Sequence, residues 1–190
     1  MRKRKPFQDD VFRCSRELFL QKGYDAVSID EVCAAVGISK PTFYSAKLAK
    51  ADLLIACYQL DEKALDDIQR RLGKQDPLDT IHEICDLLFS TLTGNTIDML
   101  GSLYQIALAE HLCGLLVTDR WKQILCEAID QAQKQQKILN MVSARILTDM
   151  VGAGVVGYFK QLILRQMEPD RDVYHRVLHA LLRVPIGVEL

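Results

Sequence analysis

The sequence predicts an all-α protein, a small N-terminal three-helix head joined by a long helix to a larger helical domain. Three observations carry this. Apolar residues recur at helical spacing along almost all 190 residues, and no window sustains the period-two alternation of a half-buried strand. Residues 23 to 54 contain two sets of helix start and stop signals around one tight turn. Charge is unevenly spread. Residues 1 to 50 carry ten Lys or Arg against six Asp or Glu, while the other 140 carry fourteen against nineteen, so the formal net charge of −1 conceals a basic head on an acidic body.

The head reads in order. Phe7, Val11, Cys14 and Leu18 lie on one face of a first helix, and Gly23 follows it. Ser28-Ile29-Asp30-Glu31 is a capping box, in which the serine accepts from the third helical N–H while Glu31 reaches back to the cap. The second helix it opens would bury Ile29, Val32, Cys33 and Val36. Gly37 permits a sharp turn and Ile38 fills its corner. Ser39 is the next N-cap, with Pro41 in the first turn, where its missing N–H is no loss. A third helix of about two turns then carries Lys40, Pro41, Thr42, Phe43 and Tyr44.

Two short helices joined by a Gly-containing turn make the unit whose second helix enters the major groove of DNA. Thr42 offers a hydroxyl or a methyl to a base edge, and Lys40 reaches guanine or a phosphate. Tyr44 has a ring to pack and a hydroxyl for a phosphate, and Ser28 and Ser39 stand at helix starts that position phosphates. Arg2, Lys3, Arg4 and Lys5 form an arm able to follow phosphates or enter a minor groove.

The body continues as helices. Leu53, Cys57, Leu60, Ala64 and Ile68 stripe a fourth helix expected to run unbroken from Lys50 to about Leu72, closed by Gly73. Pro77 opens a fifth with Ile81, Ile84, Cys85, Leu88 and Leu92, which Gly94-Asn95 ends. A sixth carries Leu100, Leu103, Ala107 and Leu108, and a seventh, Asp119 to Gln136, carries Trp121, Ile124, Leu125, Ala128 and Ala132. Ser143 opens a long eighth that stops before Pro169, and Asp170 to Arg183 makes a ninth. Residues 1–50 are thus expected as a helix-turn-helix DNA-binding domain and 51–190 as a second, helical domain.

The segment Leu18-Phe19, three residues, then GYDAVSIDEVCAAVGISKPTFY, followed by Lys50 and Leu53-Leu54, resembles the DNA-binding domain of the TetR family of bacterial transcriptional repressors over roughly residues 10 to 55. The resemblance implies a homodimer of nine or ten helices per chain, with a C-terminal domain for ligand binding and dimerisation. It also implies a palindromic operator in double-stranded DNA and release by a small-molecule effector. By position it assigns DNA contacts to Ser28, Ser39, Lys40, Thr42, Tyr44 and Lys50. The chain departs from the family pattern at Ser45 to Ala49, where Ala46 and Lys47 replace the usual His and Phe. Lys47 then stands as a substitute cation and Leu48 as the hydrophobic plug. In the family the last two helices form the dimer's four-helix bundle, which points to Gly152, Gly154, Gly157, Val177 and Leu181 as self-association residues. Phe89, Met99, Tyr104, His111, Trp121, Met150 and Tyr158 are candidate pocket residues, an inventory suited to a mostly hydrophobic effector.

Other features point away from chemistry. Gly152 to Gly157 spells GxGxxG, the dinucleotide-binding pattern, but Ile146, Leu147 and Met150 before it and Tyr158, Phe159 and Leu162 after it keep helical rhythm. The glycines are therefore expected inside the eighth helix, and a nucleotide-binding enzyme is the minor alternative. The six cysteines show no CxxC pair or disulfide framework, and no signal peptide or bilayer-length apolar run is present, which points to the reducing cytoplasm. A redox-responsive regulator would rest on Cys113, near a helix end and His111. His175 and His179 have metal-ligand spacing, yet no partner is fixed beside them, so they are expected as solvated surface histidines. No catalytic set, cofactor or metal is expected.

Overall fold

The computed structural model describes residues 7–112 and 116–185. Ten α-helices and no strands occur among them: α1 (Gln8–Lys22), α2 (Ile29–Val36), α3 (Lys40–Ser45), α4 (Lys50–Ala56), α5 (Glu62–Arg71), α6 (Pro77–Thr93), α7 (Ile97–Ala109), α8 (Asp119–Lys134), α9 (Ala144–Arg165) and α10 (Arg171–Leu182). The chain divides into two compact units, Met1–Gln59 with Gly94–Cys113, and Leu60–Thr93 with Gly114–Leu190. The first unit takes in α4 and α7 beyond the expected head segment.

In the first unit α1 packs on α2 and α4, and α4 packs on α7. Val11, Phe19, Val27, Val32, Phe43, Leu53 and Leu54 are buried there, with Met99, Leu100 and Leu103 from α7. The capping signals act as read. Glu31 N–H donates to Ser28 Oγ at 3.2 Å and Ser28 N–H donates to Glu31 Oε2 at 2.8 Å. Gly37 ends α2 in the left-handed region at φ 74°, a conformation that glycine adopts without a Cβ penalty.

The expected fourth helix is two helices. α4 stops at Ala56, and α5 starts from Asp61, whose carboxylate accepts from the N–H groups of Lys63 and Ala64. Two polar side chains explain the break. Asp61 offers helix starts a better partner than helix interiors. Asn95 donates its side-chain amide to the Cys57 carbonyl at 3.1 Å, taking an acceptor that a continuous helix would use internally. The apolar stripe was consistent with either arrangement, because Tyr58 and Leu60 are both buried in the irregular step. The chain therefore passes from the first unit to the second through a non-helical link.

In the second unit α6 packs on α5 and α8, α8 on α9, and α9 on α10. Ile81, Ile84, Cys85, Leu88, Ile124, Leu125, Ala128, Leu147 and Phe159 fill the interior. Trp121 is wholly buried, and its indole N–H donates to the Ile84 carbonyl at 2.8 Å, which satisfies the one polar atom the ring carries inside.

The glycine run lies inside α9, as expected, with no strand before it. Gly152 is where α9 passes Val117: a Cβ there would stand 3.3 Å from Val117 Cγ1. Close approach is thus what the helix gains at that position. α9 is the one described helix long and apolar enough to cross a membrane by length and composition. Here its buried residues, Leu147, Val151, Gly152, Val155, Phe159 and Leu162 among them, serve as core, and a core helix passes the same test.

Candidate nucleic-acid interface

The tight turn sets α3 across from α2 and fixes which residues of α3 face outward. Ser39 caps α3: its Oγ accepts from Thr42 N–H at 3.3 Å and lies 2.9 Å from Thr42 Oγ1. Ser45 Oγ donates to the Thr42 carbonyl at 2.7 Å. Phe43 is fully buried and serves as the anchor. Tyr44, the next residue, is 56% exposed and meets the Phe43 ring edge-on at 5.3 Å. One inward aromatic thus orients an outward face of Ser39, Lys40, Pro41 and Tyr44, with Thr42 half-buried beside them.

Two of the cations expected at this face, Lys40 and Lys50, have internal partners. Lys40 Nζ stands 2.6 Å from Asp30 Oδ1, although both side chains remain largely solvent-exposed. Lys50 Nζ donates to the Asp25 carbonyl at 3.3 Å and lies 4.4 Å from the centre of the Tyr24 ring, so it braces the turn before α2. Lys47 takes the left-handed region at φ 57° and its side chain is exposed, while Leu48 is half-buried. Arg2, Lys3, Arg4 and Lys5 lie outside the described residues. Asp30, Tyr24 and Lys22 were not singled out from sequence. Lys22 Nζ lies 2.8 Å from Glu31 Oε1, and together with the Ser28 backbone and hydroxyl it holds the Glu31 carboxyl down at about 2. Lys22 with Glu31 and Lys40 with Asp30 join different helices, and Lys50 reaches the turn before α2, so no spacing rule pairs them.

The seven candidate pocket residues are distributed over both units. Met99 is buried in α7, Tyr104 is half-buried with its phenol pushed up to about 12 by burial, and His111 is exposed at φ 52°. In the second unit Phe89 meets Phe159 at 5.8 Å and Tyr174 at 5.0 Å, and Tyr174 meets Tyr158 at 6.0 Å. Trp121 belongs to the core and Met150 is exposed. A small apolar cleft of about 20 Å³ between α9 and α10 joins Gly154, Tyr158, Val177 and Leu181, three of which were expected at a self-association face. Gly157 has open space beside it.

Among the described cysteines, burial pushes the Cys57 thiol up to about 11 and the Cys85 thiol to about 12, which keeps both protonated and inert. Cys113 lies outside the described residues. The two α10 histidines are not the solvated pair expected from sequence. His175 Nε2 lies 2.7 Å from Asp86 Oδ1, and His179 Nε2 lies 2.9 Å from His82 Nε2, both partners being on α6. Sequence spacing could not foresee a third histidine 97 residues from His179.

Comparison with known proteins places this geometry. Residues 13–57 match bacterial regulatory proteins of the tetR family. The chain is 23% identical over 151 residues to the HTH-type transcriptional regulator TcmR of Streptomyces glaucescens, covering 78% of this chain and 64% of TcmR. It is 47% identical over 45 residues to the transposon Tn10 TetC protein of Escherichia coli, covering 24% of this chain and 23% of TetC. The chain therefore spans under two thirds of either relative. Its fold is similar to that of the regulator FadR from Bacillus subtilis, solved in complex with stearoyl-CoA, with a TM-score of 0.64 at 16% identity over 96% of this chain and 100% of FadR. Over residues 13–57 the capped helix-turn-helix is thus similar to that of bacterial regulatory proteins of the tetR family, and the helical fold that carries it is similar to that of FadR.

Proposed function

We propose that the protein is a homodimeric transcriptional repressor that binds a palindromic operator and leaves it when a small, mostly hydrophobic effector binds the helical body. The observation that carries the reading is the outward face of α3, polar and exposed over the buried Phe43, behind a turn fixed by Gly37 and two serine caps. Thr42 and Lys40 read base edges; Ser28, Ser39, Pro41, Tyr44 and Lys47 position the backbone. Lys50 supports the approach from the second row through Tyr24 and Asp25. The basic arm of Arg2 to Lys5 follows the adjacent groove.

Two-fold protein symmetry calls for a two-fold operator. Exposed Val177 and Met150, with the cleft at Gly154 and Leu181, supply an apolar face on α9 and α10 for the second copy. The effector would occupy the body, where the Phe89, Tyr158 and Tyr174 aromatics meet. That FadR of Bacillus subtilis is known with stearoyl-CoA supports an apolar ligand class. A coupling of about 1–3 kcal/mol between effector and operator is enough for a 5- to 150-fold change in DNA affinity. It has three covalent routes, because the chain crosses between the two units before α5, before α7 and after α7.

Selection of bound fragments from a random duplex library at about 150 mM salt, where non-specific binding is weak, tests the reading. Recovery of a palindrome supports it. A dimer in solution with no enriched motif would contradict it.

A further inference from the structure

We propose that His82, His175 and His179 form a binding site for a divalent transition cation of the Zn²⁺ class, with Asp86 as the residue that orients His175. The four residues come as two i, i+4 pairs on facing helices, His82 with Asp86 on α6 and His175 with His179 on α10. His82 pairs with His179 and Asp86 with His175, so the helices run antiparallel here and all four side chains lie within two adjacent turns. The His82 and His175 rings are nearly parallel, 11° apart with centres at 5.5 Å, and the His82 and His179 centres are 5.2 Å apart. All three chain histidines of this unit are thus gathered at one place.

The cluster has the chemistry of a ligand set. Imidazole ligates such cations as the neutral ring. His82 and His179 face each other Nε2 to Nε2 at 2.9 Å, a bond in which one of the two nitrogens must carry a free lone pair. Arg171 Nε donates to Asp86 Oδ1 at 3.1 Å, which fixes the carboxylate beside His175. A carboxylate at His175 Nε2 holds the proton on that nitrogen and leaves the Nδ1 lone pair as a donor, the carboxylate–histidine arrangement found behind many metal ligands.

The rearrangement needed is small. Among the described residues no three such donors converge on one point, and the ring that stands apart is that of His175, whose centre is 5.5 Å from that of His82. Two Zn–N bonds of about 2.0–2.1 Å at a tetrahedral angle separate the nitrogens by about 3.3 Å. The Nε2 atoms stand at 2.9 Å, so a few tenths of an ångström, with a turn of the His175 ring, admit the ion. The cluster opens on a groove of about 790 Å³ lined also by Asp79, Glu83 and Asp172 and by Arg171 and Arg176, which gives a cation a path to the histidines.

Titration calorimetry of the full chain with ZnCl₂ near pH 7.5 tests the site, and the visible spectrum of the Co²⁺-loaded chain identifies the ligands. One ion per chain is expected, with Kd at or below about 10 µM. His82→Asn and His179→Asn should each weaken it about tenfold or more, while His111→Asn, in the other unit, should leave it unchanged. The Co²⁺ spectrum should lack thiolate charge transfer, since the six cysteines are the competing donors. It reads the wild-type chain, so it stands even where a variant fails to fold. Absence of saturable binding, binding unaffected by both substitutions, or a thiolate spectrum would overturn the proposal.

Discussion

Lys40 at the start of α3 holds Asp30 of α2 across the tight turn, Nζ to Oδ1 at 2.6 Å. The pair is exposed, so it adds little to stability, but it occupies a cation that the proposed function directs to DNA. Asp30→Asn frees Lys40 and removes an anion from the DNA-facing side. Operator affinity should rise about two- to fivefold at low salt and the gain should shrink as salt increases. Fluorescence anisotropy on the selected duplex measures this. A loss of affinity would mean that Asp30 positions Lys40 rather than restraining it.

Lys47 and Tyr44 should act without regard to sequence. Lys47→Ala is expected to weaken binding to all duplexes alike. It should also reduce the slope of log K against log salt by about 0.9 for each head that makes the contact. Tyr44→Phe keeps the ring on Phe43 and removes only the hydroxyl, so it should weaken binding with little change in slope. A slope unaltered by Lys47→Ala would show that the exposed left-handed lysine does not replace the family's missing contact.

Glu31 makes the head sensitive to acid. Its folded-state carboxyl is depressed to about 2, so its contribution is present above the ordinary carboxylate range and is lost as pH falls toward that value. The thermal midpoints of wild type and Glu31→Gln should differ by a constant amount above about pH 5 and converge between about pH 4.5 and 2. A gap that widened on acidification would contradict the assigned sign.

The α9 glycines should separate by position. Gly157→Ala meets open space and should stabilise the isolated chain by up to about 1 kcal/mol through helix propensity. Gly152→Val drives branched carbons into Val117 and should destabilise by about 1–3 kcal/mol, with partial rescue by Val117→Ala. Urea unfolding reads both. Equal effects at the two sites would remove close packing as the reason for Gly152.

What was legible in the sequence depended on range. Ser28 with Glu31, Ser39 with Thr42, and Gly37 act over three or four residues, so the head could be read from local chemistry alone. The placement of Gly152 to Gly157 inside a helix was equally readable, because the flanking apolar rhythm is local. The break after Ala56 was not. The Asn95 amide that takes the Cys57 carbonyl arrives 38 residues later, and the apolar stripe fits a continuous helix as well as a broken one. The histidine cluster failed for the same reason, since His175 and His179 look solvated until α6 brings His82 and Asp86 against them. The pocket residues were chosen by type rather than position, and the chain assigns Trp121 to the core and Met99 to the other unit.

The most direct test of the central claim compares base preferences of wild type and Thr42→Ala in the same random duplex library. If α3 reads the major groove, the variant should still select a palindrome but lose discrimination at one position in each half-site. That loss should amount to about 1–3 kcal/mol per contact. An unchanged preference at every position would show that α3 does not read bases.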